Sequence, residues 1–130
     1  MFLRALALFL LSFTLSFNAV AEGEEPYIAY VELKPFTANF GDSSELHYVK
    51  CEITIQAGSP ETEQAVLAHR ASIRNDILFL LMAQSEEEIG SVNAQSILSK
   101  KALNLVQQIL IEETGEQNVT DLFFVSFVAQ

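Results

Sequence analysis

The chain has 130 residues, of which 50% are hydrophobic and 18% charged, a composition typical of one globular domain rather than a disordered segment. Its 17 acidic and 7 basic residues give a net charge of −10 at pH 7. Because this charge repels nucleic acid phosphates and anionic lipid head groups, we do not expect direct binding to either. Partners are expected to be neutral, basic, or bound through apolar contacts.

The first 21 residues have the layout of a secretory signal peptide, in which a basic residue, an apolar run and small residues follow one another. We expect cleavage after Ala21. The apolar run is short for a membrane span, which needs roughly 20 residues, so an uncleaved inner-membrane anchor is the alternative. In both cases the rest of the chain is exported to the periplasm. Residues 22–26 then form a short acidic linker, and residues 27–130 form a periplasmic domain.

Two strands joined as a hairpin are predicted before the first helix. Residues 27–34 alternate between apolar and polar and stop at Pro35, which has no amide hydrogen for the ladder. Residues 41–44 form a turn by composition. Residues 45–57 alternate most clearly, with Cys51 on the apolar face. Since it is the only cysteine, we expect a buried thiol rather than a reactive or cross-linked one.

Helical periodicity begins at Pro60, and one long helix is predicted from there to Gln84. A short acidic helical turn follows from Ser85 to Gly90. A second long helix is predicted to begin after Ser91 or Asn93 and to end near Gly115. The core-facing residues of the first helix are expected to be Ile73, Ile77, Leu80 and Leu81.

The last predicted strand, residues 119–129, is apolar on both faces. Strict alternation places Leu122, Phe124 and Val128 on one face and Val119, Phe123, Val125 and Phe127 on the other. Such a strand is usually central and covered on both sides, or is used for association. Two helices cover only one face of a small sheet, so the other face is expected to be hidden in part by residues 36–40 or by another subunit. The predicted fold class is α+β, with a small antiparallel sheet, the element order β-β-α-α-β, and two long helices packed on one face.

The search for catalytic chemistry finds no motif. His47 and His69 are the only histidines, and neither has a second ligand at metal-binding spacing. The sequence contains no nucleophile elbow, glycine-rich phosphate loop or H-E-x-x-H motif. Three successive glutamates at 86–88 are interpreted as a solvated turn. We predict no catalytic, cofactor or metal site, and a binding or structural role rather than an enzyme.

Three segments carry recognisable motifs in a fixed order: YVELKPFTAN at residues 30–39, SIRNDILFLL at residues 72–81, and FFVSFVAQ at residues 123–130. The first resembles the Y-x-x-L-x-P-F-x-x-N segment of the FliL family, the flagellar basal-body-associated proteins. The second resembles the I-R-D/N-x-I-L helix of that family, and the third its closing F-T-x-F-V-x-Q strand. The resemblance covers nearly all of the chain after Tyr27.

The resemblance implies a non-enzymatic periplasmic domain with a stomatin/prohibitin-like (SPFH) fold. It further implies assembly with other copies into a ring beside the flagellar stator proteins, where the domain supports torque and motility. The chain departs from the family at its start, where a typical member has a basic cytoplasmic tail, a full transmembrane helix and a longer linker. It is therefore either the principal member or a FliL-like paralogue. A periplasmic adaptor or binding module of another envelope complex is the alternative function.

Six residues are candidate contacts to a partner or to another copy: Arg70, Arg74, Asp76, Phe36, Phe123 and Phe127. Arg74 is the preferred one, because the domain has few cations and a guanidinium suits carboxylate partners. In the alternative interpretation the helix charges are solvated and Phe36 is a core aromatic.

Overall fold

The computed structural model describes residues 25–41 and 47–130. The cleavage site at Ala21, the start of the linker and the predicted turn after Gly41 lie outside these residues. The strands are β1 (Ala29–Glu32), β2 (Phe36–Phe40), β3 (His47–Ala57) and β4 (Val119–Ala129), and the helices are α1 (Pro60–Ala68), α2 (Arg70–Met82), α3 (Glu86–Gly90) and α4 (Ala94–Thr114). The α+β class and the small antiparallel sheet are confirmed. The predicted order was incomplete, because three strands precede the helices and four helices precede β4.

Strand β3 is the centre of the sheet. Strand β4 pairs along one of its edges, and β1 and β2 pair one after the other along the opposite edge. The N–H of Leu33 still donates to the carbonyl of Ile53 at 3.0 Å, and the ladder is interrupted only at Lys34 and Pro35. Strands β1 and β2 are therefore two halves of one edge strand, broken where proline removes a donor. The predicted antiparallel pairing with β3 is confirmed.

Residues 36–40 do not cover the outer face of the sheet, so that expectation was wrong. They form β2, whose Phe36 pairs with Cys51 and whose Ala38 pairs with Val49. The alternate residues Phe36, Ala38 and Phe40 are buried on the side that faces the helices. The period-2 pattern of this segment is that of an edge strand with one face in the core.

Two irregularities in β4 show that the predicted assignment of its side chains to two faces was wrong. Ile53 pairs with Phe124 but Glu52 with Ser126, so Val125 has no partner residue on β3. A second register shift lies between Gln56 and Ala57. Each extra residue reverses the alternation. As a result Val119, Leu122, Phe124 and Phe127 all pack toward the core, and Phe123, Val125 and Val128 are exposed. Within the described residues β4 pairs with β3 alone, so it is an edge strand and not a central one.

The predicted helix over residues 60–84 is divided at His69, which has φ −107° and ψ 17°. The N–H of His69 is shared between the carbonyls of Ala65 and Val66, at 3.0 and 3.2 Å. A disturbance of the hydrogen-bond ladder of this kind bends a helix. Val66 and Ile73, on either side of the bend, are both fully buried, so both halves cover the sheet.

The remaining helices agree with their predicted ends. Ser85 caps α3 in a capping box with Glu88. Helix α4 follows Asn93 and is closed by Gly115, whose φ of 76° lies in the left-handed region. The buried stripe of α4 consists of Ala94, Leu98, Ala102, Val106 and Leu110.

The hydrophobic core lies between the helices and the inward face of the sheet. Val49, Cys51, Ile53 and Ile55 of β3 are buried in it, as the alternation predicts. Burying one such aliphatic side chain contributes roughly 1.5–3 kcal/mol, so this layer holds the sheet and helices together. Among the helices of the described residues, none combines the length and the apolar character needed to cross a bilayer.

Candidate functional site

Arg74 joins helix α2 to the interruption between β1 and β2. Its Nη1 donates to the carbonyl oxygen of Lys34, and its Nη2 donates to that of Pro35 at 2.6 Å. The guanidinium carbon lies 4.2 Å from the centroid of the Phe36 ring, a cation–π geometry. The carbonyls at the interruption are left without a ladder partner, and Arg74 supplies donors to both. The arginine of the second motif is thus bound to the Lys34-Pro35-Phe36 segment of the first.

A small cavity lies beside Arg74. It has a volume of about 250 Å³ and is lined by Glu32, Leu33, Lys34, Arg70, Ala71 and Arg74. We call it the cationic pocket. The side chains of Lys34 and Arg70 are exposed at its rim, and Leu33 is buried beneath them. Strand β1, the interruption after it and the first two turns of α2 position these groups. Sequence reasoning selected Arg70 and Arg74 but missed Lys34, although Lys34 precedes the proline that ends the strand.

The lining of this pocket includes neither Asp76 nor Phe36. Asp76 is half-buried on α2, and its carboxylate makes no hydrogen bond or ion pair within residues 25–41 and 47–130. Phe36 is only 1% exposed, so its ring is part of the core beneath the guanidinium of Arg74. Whether Asp76 or Phe36 meets a partner stays a prediction.

Phe123 and Phe127 lie on opposite faces of β4. Phe127 is half-buried and packs edge-on against Phe124, with the ring centroids 5.4 Å apart. Phe123 is 39% exposed on the outer face, together with Val125 at 66% and Val128 at 49%. We call Phe123, Val125 and Val128 the outer β4 patch. Alternation alone grouped Phe123 with Phe127, because the bulge at Val125 that separates them leaves no signal in the sequence.

The glutamine that ends the third motif is bound to the central strand. The N–H of Gln130 donates to the carbonyl of Tyr48 at 2.9 Å, and the N–H of Tyr48 donates back at 3.0 Å. The Tyr48 hydroxyl also donates to Oε1 of Gln130. These three bonds fix Gln130, which follows the end of β4, beside the start of β3.

The histidine, cysteine and acidic side chains of the described residues do not form one cluster. Nε2 of His47 lies 2.9 Å from Oε1 of Glu86, and His69 lies at the junction of α1 and α2. Burial raises the pKa of the Cys51 thiol to about 12, so the thiol is protonated at neutral pH. In the part of the chain that the structure describes, no three histidine, cysteine or acidic side chains are grouped as metal ligands would be.

Comparison with known proteins finds matches to flagellar proteins. The family described as "Flagellar basal body-associated protein FliL" matches residues 30–130. The flagellar protein FliL of Aquifex aeolicus (strain VF5) is 25% identical over 96 residues, which cover 74% of this chain and 57% of the relative. The chain thus spans little more than half the length of that relative.

The family match contains all three motifs, together with the residues through which the structure connects them. Arg74 binds the first motif to the second, and Gln130 binds the third to β3. Since the match extends over more than three-quarters of the sequence, the chain belongs to the FliL family of flagellar basal body-associated proteins.

Proposed function

We propose that this chain is a non-enzymatic accessory protein of the bacterial flagellar basal body, which associates with the stator to support torque and motility. The observation that carries the proposal is the family match over residues 30–130. The contact between the first two motifs supports it, because Arg74 of the second motif donates hydrogen bonds to the two carbonyls of the strand interruption in the first.

The role in torque is tested by deleting the gene and measuring swimming in liquid and in viscous medium. We expect slower swimming, with the larger deficit in viscous medium, where the motor works against a higher load. A plasmid copy of the gene should restore both. Unchanged swimming in both media would contradict the proposal and favour the alternative function, an adaptor of another envelope complex.

We infer that the domain associates with other copies of itself, as the ring-forming hypothesis requires. The outer β4 patch supports this inference, since Phe123, Val125 and Val128 are three exposed apolar side chains on an edge strand. Sedimentation velocity of the protein and of Val125→Lys is the test. We expect the variant to dissociate. The control is Ile97→Lys, a change of the same kind at a helix residue that is 47% exposed. A wild-type protein that remains monomeric at high concentration contradicts the inference.

We infer further that the domain works in the periplasm, delivered by its N-terminal signal, with an uncleaved inner-membrane anchor as the alternative. The basic, apolar and small-residue order of the first 21 residues supports the signal. N-terminal sequencing of the protein from periplasmic and membrane fractions distinguishes the two. A mature chain that begins at Glu22 agrees with release, and an intact Met1 in the membrane fraction agrees with an anchor.

A relation to the stomatin/prohibitin-like domains remains part of the proposal. An antiparallel sheet with helices on one face supports it. An experimental structure of the domain whose strand order and helix positions fail to superpose on a stomatin domain would contradict it.

A further inference from the structure

The basic side chains of this acidic protein are unevenly distributed. Residues 25–41 and 47–130 contain six of them, namely Lys34, Lys50, Arg70, Arg74, Lys100 and Lys101. Three of the six, Lys34, Arg70 and Arg74, line the cationic pocket. We propose that the cationic pocket binds a carboxylate of an acidic peptide segment supplied by a partner protein.

The pocket has free donors for a carboxylate. A guanidinium carries five N–H donors, and the two hydrogen bonds of Arg74 to main-chain carbonyls leave others unused. Within the described residues, the side chains of Arg70 and Lys34 make no hydrogen bond or ion pair. Because Arg74 is held by its two carbonyl partners and by Phe36, it loses little further freedom when it meets a ligand. Arginine also matches the planar geometry of a carboxylate.

The size of the pocket limits the ligand. Its volume of about 250 Å³ lies below the roughly 300–1,000 Å³ of sites that enclose a drug-sized molecule. One acidic side chain fits, and the apolar surfaces of Leu33 and Ala71 leave room for part of an aliphatic neighbour. A short peptide with an acidic and an aliphatic residue matches these two surfaces.

The net charge of the whole chain favours a peptide with few charges over a polyanion as the ligand. A net charge of −10 repels nucleic acid and anionic membrane at long range, whereas a ligand with one or two carboxylates meets little of that repulsion. Glu32 adds one negative charge to the rim beside the three cations. Neutralising this carboxylate should therefore strengthen binding.

The proposal does not depend on the flagellar role, because peptide binding is measured on purified protein and motility in cells. The ¹⁵N-labelled protein, expressed from the full coding sequence, is titrated with an acetylated and amidated tetrapeptide of alternating leucine and glutamate. The matched peptide has glutamine in place of glutamate. We expect amide shifts around Leu33, Arg70 and Ala71 with the first peptide and none with the second.

Three variants test which side chains contribute to peptide affinity. Arg70→Glu should weaken binding about tenfold or more, because it replaces charged hydrogen-bond donors with a carboxylate that repels the ligand. Arg70 is exposed and begins α2, where an acidic residue is compatible with the helix dipole, so the fold is retained. Glu32→Gln should tighten binding. Lys100→Glu makes the same change in net charge at an exposed lysine outside the pocket and should alter binding less than about twofold.

Several results would overturn the proposal. Equal losses of peptide affinity in Arg70→Glu and Lys100→Glu would show that binding depends on net charge and not on a specific site. Shifts of the same size with the glutamine peptide, or none with either peptide at low salt, exclude carboxylate recognition. Displacement of the peptide by an equal concentration of inorganic phosphate excludes a peptide-selective site.

Discussion

Nη2 of Arg74 donates a hydrogen bond of 2.6 Å to the carbonyl oxygen of Pro35, where the edge strand of the sheet is interrupted. Proline ends β1 because it lacks an N–H, and the arginine satisfies the carbonyls that the interruption leaves unpaired. The contact joins residues that are 39 positions apart in the sequence. It connects the sheet edge to α2 and fixes one wall of the cationic pocket.

Replacing Arg74 by alanine should destabilise the domain by about 1–2 kcal/mol, because it removes two hydrogen bonds to carbonyl groups and a cation–π contact at a partly exposed site. Urea unfolding followed by circular dichroism measures the change. The matched control is Arg70→Ala, one turn earlier on the same helix and exposed. That variant should stay within about 0.5 kcal/mol of the wild type. Equal stabilities of the two variants would show that Arg74 does not support the interruption.

Neighbouring residues of α4 should differ sharply in their contribution to stability. Leu98 is 2% exposed and Ile97 is 47% exposed. Leu98→Ala should cost about 2–5 kcal/mol through lost burial and the cavity left behind. Ile97→Ala should cost less than about 1 kcal/mol, because most of its side chain already contacts water. The midpoints of urea unfolding give the comparison, and a reversed order would contradict the orientation of α4.

Among the described residues, two glycines have a left-handed backbone, and they predict graded effects of alanine substitution. Gly115, at φ 76°, has open space around an added Cβ, so Gly115→Ala should cost about 1–2 kcal/mol from backbone strain alone. Gly41, at φ 81°, would also bring its Cβ to 2.8 Å from Cγ of Glu86, and should cost at least as much. Gly90 has neither restriction, and Gly90→Ala should be neutral or slightly stabilising. Thermal unfolding measures this order. A loss of stability in Gly90→Ala as large as that in Gly115→Ala would contradict this order.

Cys51 should give the domain a stability that falls at high pH. Burial disfavours the thiolate and raises the folded-state pKa to about 12. In the unfolded chain the thiol loses its proton near its ordinary pKa of about 8.5. The folded state therefore binds the extra proton between these values, and stability is complete below the unfolded pKa and lost as pH rises toward 12.

The measurement for Cys51 is urea unfolding at pH 8 and at pH 10.5, for the wild type and for Cys51→Ala. The wild type should lose more stability than the variant over this interval, since only the wild type carries the thiol. A thiol-reactive dye at pH 8 should label the native protein slowly and the unfolded protein at once. Rapid labelling of the native protein would contradict the buried position.

Much of the architecture follows from periodicity. The alternation of residues 45–57 predicts β3 with its buried face, and the boundaries of β4 and α4 agree with turn and capping residues such as Gly115. The prediction that residues 36–40 cover the outer face of the sheet was wrong, although the alternation of apolar and polar residues in this segment is that of a strand. A segment of five residues has too weak a signal to show which strand it pairs with, and its pairing with β3 is set by hydrogen bonds between two separate segments of the chain.

The candidate site, too, is predictable from the sequence only in part. The helical spacing of Arg70 and Arg74 places both side chains on related faces of α2, but their common pocket with Lys34 requires the β1–β2 interruption to lie against that helix. The separation of Phe123 from Phe127 depends on a bulge at Val125. No local pattern marks either arrangement, because each is set by pairing between segments distant in the chain.

The amino-acid sequence alone is sufficient for the α+β class, for the burial of Cys51 and for the three motifs that identify the FliL family. These depend on the type and spacing of neighbouring residues, which the chain carries locally. Tertiary structure decides the register of β4, the outer β4 patch and the contact between Arg74 and Pro35. Each of these requires hydrogen-bond partners that only the folded chain brings together, so residue spacing alone does not specify them.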